Sequence, residues 1–245
     1  MQSLKIAIFL AASVFTFLAQ AVEHSVEGDQ PLEWVTDAVA ADNVEFCKFF
    51  SEAVNAEVSY HIYLPAEYYN NTSKRFPVLY WLHGSGGGLP GIPVLSSFFD
   101  SAIVSGQIPP MLVVFPNGLP SGMWCNWKDG SAPVESMLIN DLIPYIDQTY
   151  RTINSAEGRI IEGFSMGGYG AARLGLKFPE MFSAFSMLGS GPLQLDFSDP
   201  KSVLFLSQSV NRFLKQFMAG IGIILKLKAP GDWRSNLPHP NSRIY

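Results

Sequence analysis

The stretch RIIEGFSMGGYGAARLGLK, residues 159–177, joins a short apolar run to a glycine-rich segment with helical spacing. Gly163, Ser165 and Gly167 in this stretch match the pattern G-x-S-x-G, directly after a predicted strand at 159–162. In that setting the serine occupies a sharp turn with its hydroxyl exposed, and the glycines are needed because a Cβ atom would collide across the turn. The motif therefore predicts a serine nucleophile at residue 165. The helix that follows directs its positive end at the group under attack.

The chain up to about residue 191 alternates between predicted strands and predicted helices. Short, continuous apolar runs such as FPVLYWL and MLVVF are typical of strands that are covered on both faces. In strand 57–64 the apolar residues instead alternate with Ser59, His61 and Tyr63, which is the pattern of a half-buried strand that opens the sheet in a hairpin. Alternation of strands and helices predicts an α/β fold with a mostly parallel sheet and helices on both faces. The predicted strands are residues 44–50, 57–64, 76–82, 111–115, 159–162 and 181–188, and the predicted helices are residues 94–105, 133–150 and 166–177.

A second loop, WLHGSGGGLPG, follows the strand at 76–82. In a serine hydrolase of this kind, one oxyanion donor is a backbone amide after that strand and the other is the amide after the nucleophile. This assigns the backbone amides of Ser85 and Met166 to an oxyanion hole. A glycine-rich loop can also cradle phosphate, but no nucleotide-binding motif is completed here. His83 precedes the serine in its loop, and we interpret it as a structural residue that shapes the loop.

Four blocks of the sequence carry a family resemblance: EVSYHIYLPAEYY, PVLYWLHGSGG, GMWCNWKDGSAPVESMLINDLIPYIDQTYRT and RIIEGFSMGGYGAARLGLKFPEMFSAFSML. Together they resemble the esterase D-like family of the α/β-hydrolase superfamily, whose members include S-formylglutathione hydrolases, feruloyl and acetyl-xylan esterases and mycolyl transferases. The resemblance covers about residues 44–191 and implies an α/β-hydrolase fold with a Ser, Asp or Glu, His triad. Ser165 matches the nucleophile, and Met166 and Ser85 match the oxyanion amides. Glu135 and Asp141 lie on the predicted helix 133–150, where we interpret them as capping and solvated.

The sequence departs from the family pattern after about residue 191, so the fold is predicted to be truncated or altered there. The family places its acid and its histidine downstream of the nucleophile. His239 is the only histidine in that part of the chain, and it is the candidate base. Its surroundings, NLPHPNS, form an irregular two-proline loop, and no strand and turn of the family type precede any acid candidate. The candidate acids are Asp196, Asp199 and Asp232.

The N-terminus resembles a secretion signal. Lys5 precedes an apolar run, and the small-residue pattern Ala19-Gln20-Ala21 follows it, so we expect cleavage after Ala21 and a mature chain that is secreted or periplasmic. A membrane anchor is the alternative, but a bilayer span needs roughly 20 apolar residues. The predicted organisation is a signal peptide at 1–21, a lead segment at 22–43, the hydrolase core at 44–191 and an atypical tail at 192–245.

The two cysteines of the chain are Cys47 and Cys125. In an oxidising compartment they could form a disulfide, and the alternative is two separate buried thiols. Neither lies in a motif with further histidine or cysteine ligands, so we expect no zinc site and no metal or organic cofactor.

The charge of the chain is unevenly distributed. Residues 1–200 contain 9 Lys or Arg against 20 Asp or Glu, whereas residues 201–245 contain 7 against 1. The basic tail could be a solvated face or a patch for nucleic acid or membrane. We favour a third hypothesis, in which the tail is translated out of frame after a change between about Gly191 and Asn211. One choice of codons for residues 228–236, read one base earlier, spells SPWRLAEQ. This peptide is similar to a block that the family carries downstream of its nucleophile. Sequencing the gene tests the frame-change hypothesis.

These observations predict an exported carboxylic-ester hydrolase that acts through Ser165 and an acyl-enzyme. An acyl transferase of the same family and a catalytically silent hydrolase-like domain are the alternatives. We expect a small-molecule or carbohydrate-linked ester as substrate, with no nucleic-acid partner and no stable membrane insertion. Trp124 and Trp127 could stack on a sugar or an aromatic acyl group, or could simply be buried in the core.

Overall fold

The computed structural model describes residues 31–190, which form a six-stranded sheet with helices on both of its faces. The strands are β1 (Val44–Ser51), β2 (Ala56–Tyr63), β3 (Val78–Leu82), β4 (Leu112–Pro116), β5 (Arg159–Phe164) and β6 (Ala184–Leu188). The helices are α1 (Ala66–Asn70), α2 (Ile92–Val104), α3 (residues 134–149) and α4 (Met166–Lys177). Helix α3 consists of three consecutive pieces, Val134–Ser136, Met137–Leu142 and Ile143–Thr149. The predicted α/β class is therefore confirmed. The tail, with its predicted alteration and frame change, lies outside the described residues, as does the predicted signal peptide.

The order of the strands in the sheet is β1-β2-β4-β3-β5-β6. β1 and β2 form the predicted antiparallel hairpin, and β2 also runs antiparallel to β4. The pairs β3 with β4, β3 with β5 and β5 with β6 are all parallel. The carboxyl ends of β3, β4 and β5 consequently meet at one edge of the sheet, which is where ligands bind in open α/β folds.

Two hydrophobic layers cover the sheet. One layer lies between the sheet and helices α3 and α4, and includes Tyr80, Leu82 and Leu138. The other lies against α2, and includes Trp81, Phe99 and Val113. Neighbouring residues of β3 thus point to opposite layers, which explains why this strand is an unbroken apolar run.

Some predicted boundaries were wrong. Helix α1 was not predicted, and the middle piece of α3, Met137–Leu142, is π-helical rather than regular α-helix. The last strand begins at residue 184 instead of 181. Ser59 and His61 alternate with apolar residues in β2, and they are nevertheless buried because residues 31–40 pass over that face.

Cys47 and Cys125 are unpaired thiols in the structure, and both are half-buried rather than fully buried. The thiol of Cys47 lies 3.6 Å from the hydroxyl oxygen of Tyr150. Within residues 31–190, no helix is long and apolar enough to cross a membrane.

Candidate active site

Ser165 occupies the turn between β5 and α4, where its backbone is held in a strained conformation with φ 55° and ψ −116°. Positive φ is costly for a residue with a side chain, so the surroundings must hold it there. The amide of Ser165 donates to the carbonyl oxygen of Leu188 at 2.8 Å, and its carbonyl oxygen accepts from the amide of Tyr169 at 3.0 Å. The turn is therefore fixed to the end of β6 and to the first turn of α4.

The glycines around Ser165 are required by close backbone contacts. A Cβ atom on Gly163 would collide with the carbonyl of Gly167, and one on Gly167 would collide with the carbonyl of Leu82 at the end of β3. A Cβ atom on Gly168 would lie 2.7 Å from the carbonyl oxygen of Leu188. The spacing of glycines in the sequence thus reports a turn that is packed directly on two neighbouring strands.

Replacing Gly167 with alanine is therefore expected to lower the free energy of unfolding by about 1–3 kcal/mol or to displace the turn, because rigid backbone surrounds the added methyl group. Denaturant unfolding of the full chain measures the change. Gly91→Ala is the matched control, since its Cβ atom would meet only the Leu95 side chain, at 3.8 Å. We expect that control to stay within about 0.5 kcal/mol of the parent protein. Equal stability of Gly167→Ala and Gly91→Ala would contradict this description of the turn.

The glycine-rich loop after β3 lies directly against Ser165. A Cβ atom on Gly84 would be 3.4 Å from the Cβ atom of Ser165. Ser85 is exposed, and no described residue accepts a hydrogen bond from its amide. Met166 opens α4, where the first amides of a helix have no acceptor within the helix. The two predicted oxyanion donors are thus backbone amides on two segments that border the nucleophile.

His83 holds the glycine-rich loop in place. Its Nδ1 lies 2.8 Å from the carbonyl oxygen of Gly84, and its Nε2 accepts from the amide of Gly118 at 3.1 Å. Burial lowers the pKa of His83 to about 4, so the ring is neutral and donates from Nδ1. Both ring nitrogens are therefore engaged, which confirms the interpretation of His83 as structural.

Trp124 connects this loop to α4. It is fully buried, its Nε1 donates to the carbonyl oxygen of His83 at 3.1 Å, and its ring fills the space that side chains on Gly118 and Gly170 would need. Of the two alternatives for Trp124, the structure therefore shows core packing rather than an exposed stacking surface. Trp127 is partly buried against the same core.

Glu135 and Asp141 were predicted to be capping and solvated, and the prediction of a solvated side chain was wrong for Glu135, whereas Asp141 is half-buried. Glu135 is buried and forms ion pairs with Arg173 and, at 2.5 Å, with Lys177 of α4. Burial alone would raise the pKa of Glu135, but its bonds and charge interactions with these two cations hold it below the usual value. Asp141 accepts hydrogen bonds from the hydroxyl of Ser51 at 2.5 Å and the amide of Ala53 at 3.0 Å. Asp141 thus fixes the β1–β2 turn to α3.

Glu162 is a buried carboxyl group that the sequence analysis did not single out. It lies on β5 three residues before Ser165, and its Oε1 accepts from the hydroxyl of Ser186 at 3.0 Å. Burial raises the pKa of Glu162 to about 7, although the Ser186 bond opposes the shift. The available signal was an acidic residue at the end of the predicted strand that leads into the nucleophile turn.

The described residues do not supply a base for Ser165. They contain two histidines, His61 and His83, and each bonds through Nε2 to a backbone amide away from the nucleophile. The candidate base His239 lies outside the described residues. The same is true of the candidate acids Asp196, Asp199 and Asp232.

Comparisons with known proteins agree with this geometry. A sequence model of the "Putative esterase" family matches residues 51–216. The chain is 32% identical over 177 residues to an endo-1,4-beta-xylanase/feruloyl esterase of Xylanibacter ruminicola, which covers 67% of this chain and 24% of that protein. It is 30% identical over 156 residues to an esterase of Mycobacterium tuberculosis, covering 62% of this chain and 33% of that protein. The chain thus spans a third or less of the length of these curated relatives.

Solved structures show the same fold. A ferulic acid esterase superimposes with a TM-score of 0.57 at 27% identity, over 69% of this chain and 67% of that one. An S-formylglutathione hydrolase from Agrobacterium tumefaciens superimposes with a TM-score of 0.53 at 22% identity, over 64% of this chain and 62% of that one. The six-stranded sheet described above is therefore the α/β-hydrolase sheet of these neighbours.

Proposed function

Because the chain belongs to the "Putative esterase" family, we propose that it is an exported carboxylic-ester hydrolase with Ser165 as its nucleophile. The observation that carries the proposal is the conformation of Ser165, whose positive φ sits on a turn built from close glycine contacts. Such strain persists only where the surrounding structure holds it, and it is concentrated at functional sites. The amides of Ser85 and Met166 border this serine and supply the donors that ester chemistry needs.

The reaction proceeds in two steps through an acyl-enzyme. A general base removes the proton from Ser165 while its Oγ forms a bond to the ester carbonyl carbon, and the carbonyl oxygen becomes an oxyanion. The amides of Ser85 and Met166 donate to that oxyanion, and the positive end of α4 adds to the stabilisation. Collapse expels the alcohol, which takes the proton from the protonated base. Water, deprotonated by the same base, then releases the acid and restores the serine.

His239 is the candidate general base of this proposal, and it can serve only where the tail is translated in frame. His61 and His83 are bonded elsewhere, so the base comes from residues outside the described range, and His239 is the only histidine that follows Ser165. His239 also lies beyond residue 216, where the family match ends. The assignment therefore rests on residue type and on order along the chain.

Replacing His239 with alanine is expected to slow fluorophosphonate labelling of Ser165 by at least about 10³-fold, because an elbow serine without its base is a weak nucleophile. The rate of labelling of the full chain is the measurement. His24→Ala is the control, since residue 24 is the other histidine outside the described range. Equal labelling of the parent and His239→Ala proteins would remove His239 from the mechanism. Ser165 would then depend on another base, or the parent chain would itself label too slowly.

A catalytically silent hydrolase-like domain is the second candidate, and the frame-change hypothesis for the tail favours it. In this case the parent chain reacts with fluorophosphonate as slowly as His239→Ala. An acyl transferase is the third candidate, and it differs only in the acceptor of the second step. An added alcohol or sugar that captures the acyl group in place of water identifies it.

The substrate proposed for this chain is an ester of a small or aromatic acid, linked to an alcohol or a carbohydrate. Support comes from the feruloyl esterase activity named for one relative and from the ferulic acid esterase among the structural neighbours. A hydrolysis panel of acetyl, butyryl and feruloyl esters tests the acyl preference. Export is proposed from the N-terminal sequence alone, and N-terminal sequencing of the mature protein tests cleavage after Ala21.

A further inference from the structure

A cavity of about 270 Å³ opens beside the glycine-rich loop, at the carboxyl ends of β3 and β4. Its wall includes residues 86–88 of that loop and residues of β2, β3 and β4, and it does not include Ser165. The cavity therefore lies on a part of the loop that is separate from the nucleophile. An apolar cavity of about 150 Å³ is sufficient to bind benzene, so the volume here accommodates a substituted aromatic ring.

Aromatic side chains form much of the wall. Tyr60, Trp81 and Phe115 all border the cavity, and each of them is buried. Apolar cavities hold water poorly, because a buried water needs two to four polar partners. Mostly apolar walls with a small number of polar groups are the usual composition of sites for small organic ligands.

The ring of His61 has one nitrogen without a partner among the described residues. His61 is 2% exposed, borders the cavity, and accepts from the amide of Val39 through Nε2 at 3.0 Å. Burial lowers the pKa of His61. Because Nε2 accepts a hydrogen bond, the neutral ring carries its proton on Nδ1. No residue in the described range accepts from that Nδ1. This Nδ1 is not among the enclosed polar atoms that lack a partner in the described residues, so it opens onto the cavity and is accessible to a ligand.

Hydrogen bonds hold the cavity wall around His61 in place. Thr36 donates from its amide to the hydroxyl of Ser59 at 2.9 Å, and the side chain of Asn117 donates to the carbonyl oxygen of Glu33 at 2.9 Å. These bonds hold the lead segment across β2 and β4. Glu33 is an exposed residue of the cavity wall, and its carboxylate pairs with no cation in the described range. Its negative charge would repel an anionic ligand.

We propose that this cavity binds a neutral aromatic molecule of about one ring, which presents an acceptor oxygen to Nδ1 of His61. The ring occupies the space between Trp81 and Phe115, and the oxygen supplies the partner that the protein does not. The inference concerns binding only, and it does not depend on esterase activity.

Calorimetric titration of the full chain with three probes tests the chemistry of the ligand. Acetophenone has one ring and one acceptor oxygen, toluene lacks the acceptor, and benzoate carries a negative charge. We expect saturable binding of acetophenone, about fivefold weaker binding of toluene because it forms no bond to His61, and no detectable binding of benzoate. Equal affinities for acetophenone and benzoate, or no saturable binding of acetophenone, would overturn the proposal.

Two variants locate the site. In His61→Gln the side-chain oxygen can reach the position of Nε2 and still accept from Val39. The amide NH2 of this glutamine then lies beside that oxygen and not at the position of Nδ1, so acetophenone should weaken to the affinity of toluene. Leu89→Trp fills the cavity from its wall, and both ligands should be lost. Thermal unfolding and circular dichroism verify that both variants fold. The proposal is wrong if His61→Gln still prefers acetophenone over toluene as the parent does. It is also wrong if Leu89→Trp binds these ligands with the affinity of the parent.

Blocking Ser165 distinguishes this cavity from the active site. Acetophenone is titrated into the Ser165→Ala variant and into protein that has been treated with a fluorophosphonate. Since Ser165 does not line the cavity, the affinity should stay within about twofold of the parent value in both. Loss of binding in the treated protein would place the ligand at the nucleophile and would overturn the assignment to His61.

Discussion

Ser165→Ala is expected to reduce ester hydrolysis by about 10⁵-fold or more while the protein keeps its fold. Removal of a serine nucleophile alone costs an enzyme of this mechanism about as much as removal of its whole triad. Alanine differs from serine only by the hydroxyl, so the strained turn at φ 55° is unchanged. The bonds that hold the turn, from its amide to Leu188 and from Tyr169 to its carbonyl, are made by the backbone and persist. Hydrolysis rates and thermal unfolding of the purified full chain are the measurements.

Ser85→Ala is the matched control for this experiment. The proposed role of residue 85 belongs to its backbone amide, so loss of the hydroxyl should change hydrolysis by no more than a few-fold. A loss of 100-fold or more in Ser85→Ala would mean that the hydroxyl itself contributes to the site. Full hydrolysis by Ser165→Ala would show that another group attacks the ester, and the site assignment would fall.

The sequence was informative about this turn because the constraint is local. Gly163, Ser165 and Gly167 lie within five consecutive residues, and the clashes that exclude side chains arise mainly from that short segment and the end of β3. Buried strands could also be predicted from short windows, because an unbroken apolar run indicates a strand covered on both faces whatever its neighbours in the sheet are. Fold class and nucleophile could thus be predicted from short windows of sequence.

Environments that depend on distant partners could not be predicted in the same way. Glu135 was placed on a solvated helix face because its cationic partners come 38 and 42 residues later, on α4. His61 alternates with apolar residues as a surface residue would, and it is buried only because the lead segment crosses β2. For a triad base the sequence offers one downstream histidine, His239, without a local pattern to place it.

The second large effect is expected at Glu162. Its folded-state pKa of about 7 lies above the ordinary value of 4.5, because burial disfavours the charged carboxylate. Between pH 4.5 and 7 the folded protein therefore holds a proton that the unfolded chain has released. The stability that this proton provides is complete below pH 4.5, and it is lost as the pH rises through about 7. The difference between these folded and unfolded pKa values lowers the free energy of unfolding above pH 7 by about 3 kcal/mol.

Glu162→Gln should remove this pH dependence. Glutamine has the same shape and stays neutral, and its oxygen can still accept from the hydroxyl of Ser186. We expect the variant to be more stable than the parent by about 3 kcal/mol at pH 8 and equally stable at pH 4, as measured by denaturant unfolding. Glu57→Gln is the control, since Glu57 is an exposed residue paired with Lys48, and its stability should follow the parent curve to within about 1 kcal/mol.

The direction of this effect bears on why a carboxyl group stands beside the nucleophile turn. In the sheet register, Glu162 pairs with Trp81 of β3 and Ser186 of β6, so it lies between the strand that precedes the glycine-rich loop and the strand that anchors Ser165. Ionisation there destabilises the part of the sheet that holds both oxyanion segments. In the parent protein, hydrogen exchange at the amides of β5 and β6 should therefore accelerate between pH 5 and 8 by more than the intrinsic exchange rate increases over that range. In Glu162→Gln, exchange should accelerate only as much as the intrinsic rate. If the two proteins show parallel stability curves over that range, Glu162 has the same pKa in the folded and unfolded states and the predicted penalty does not exist.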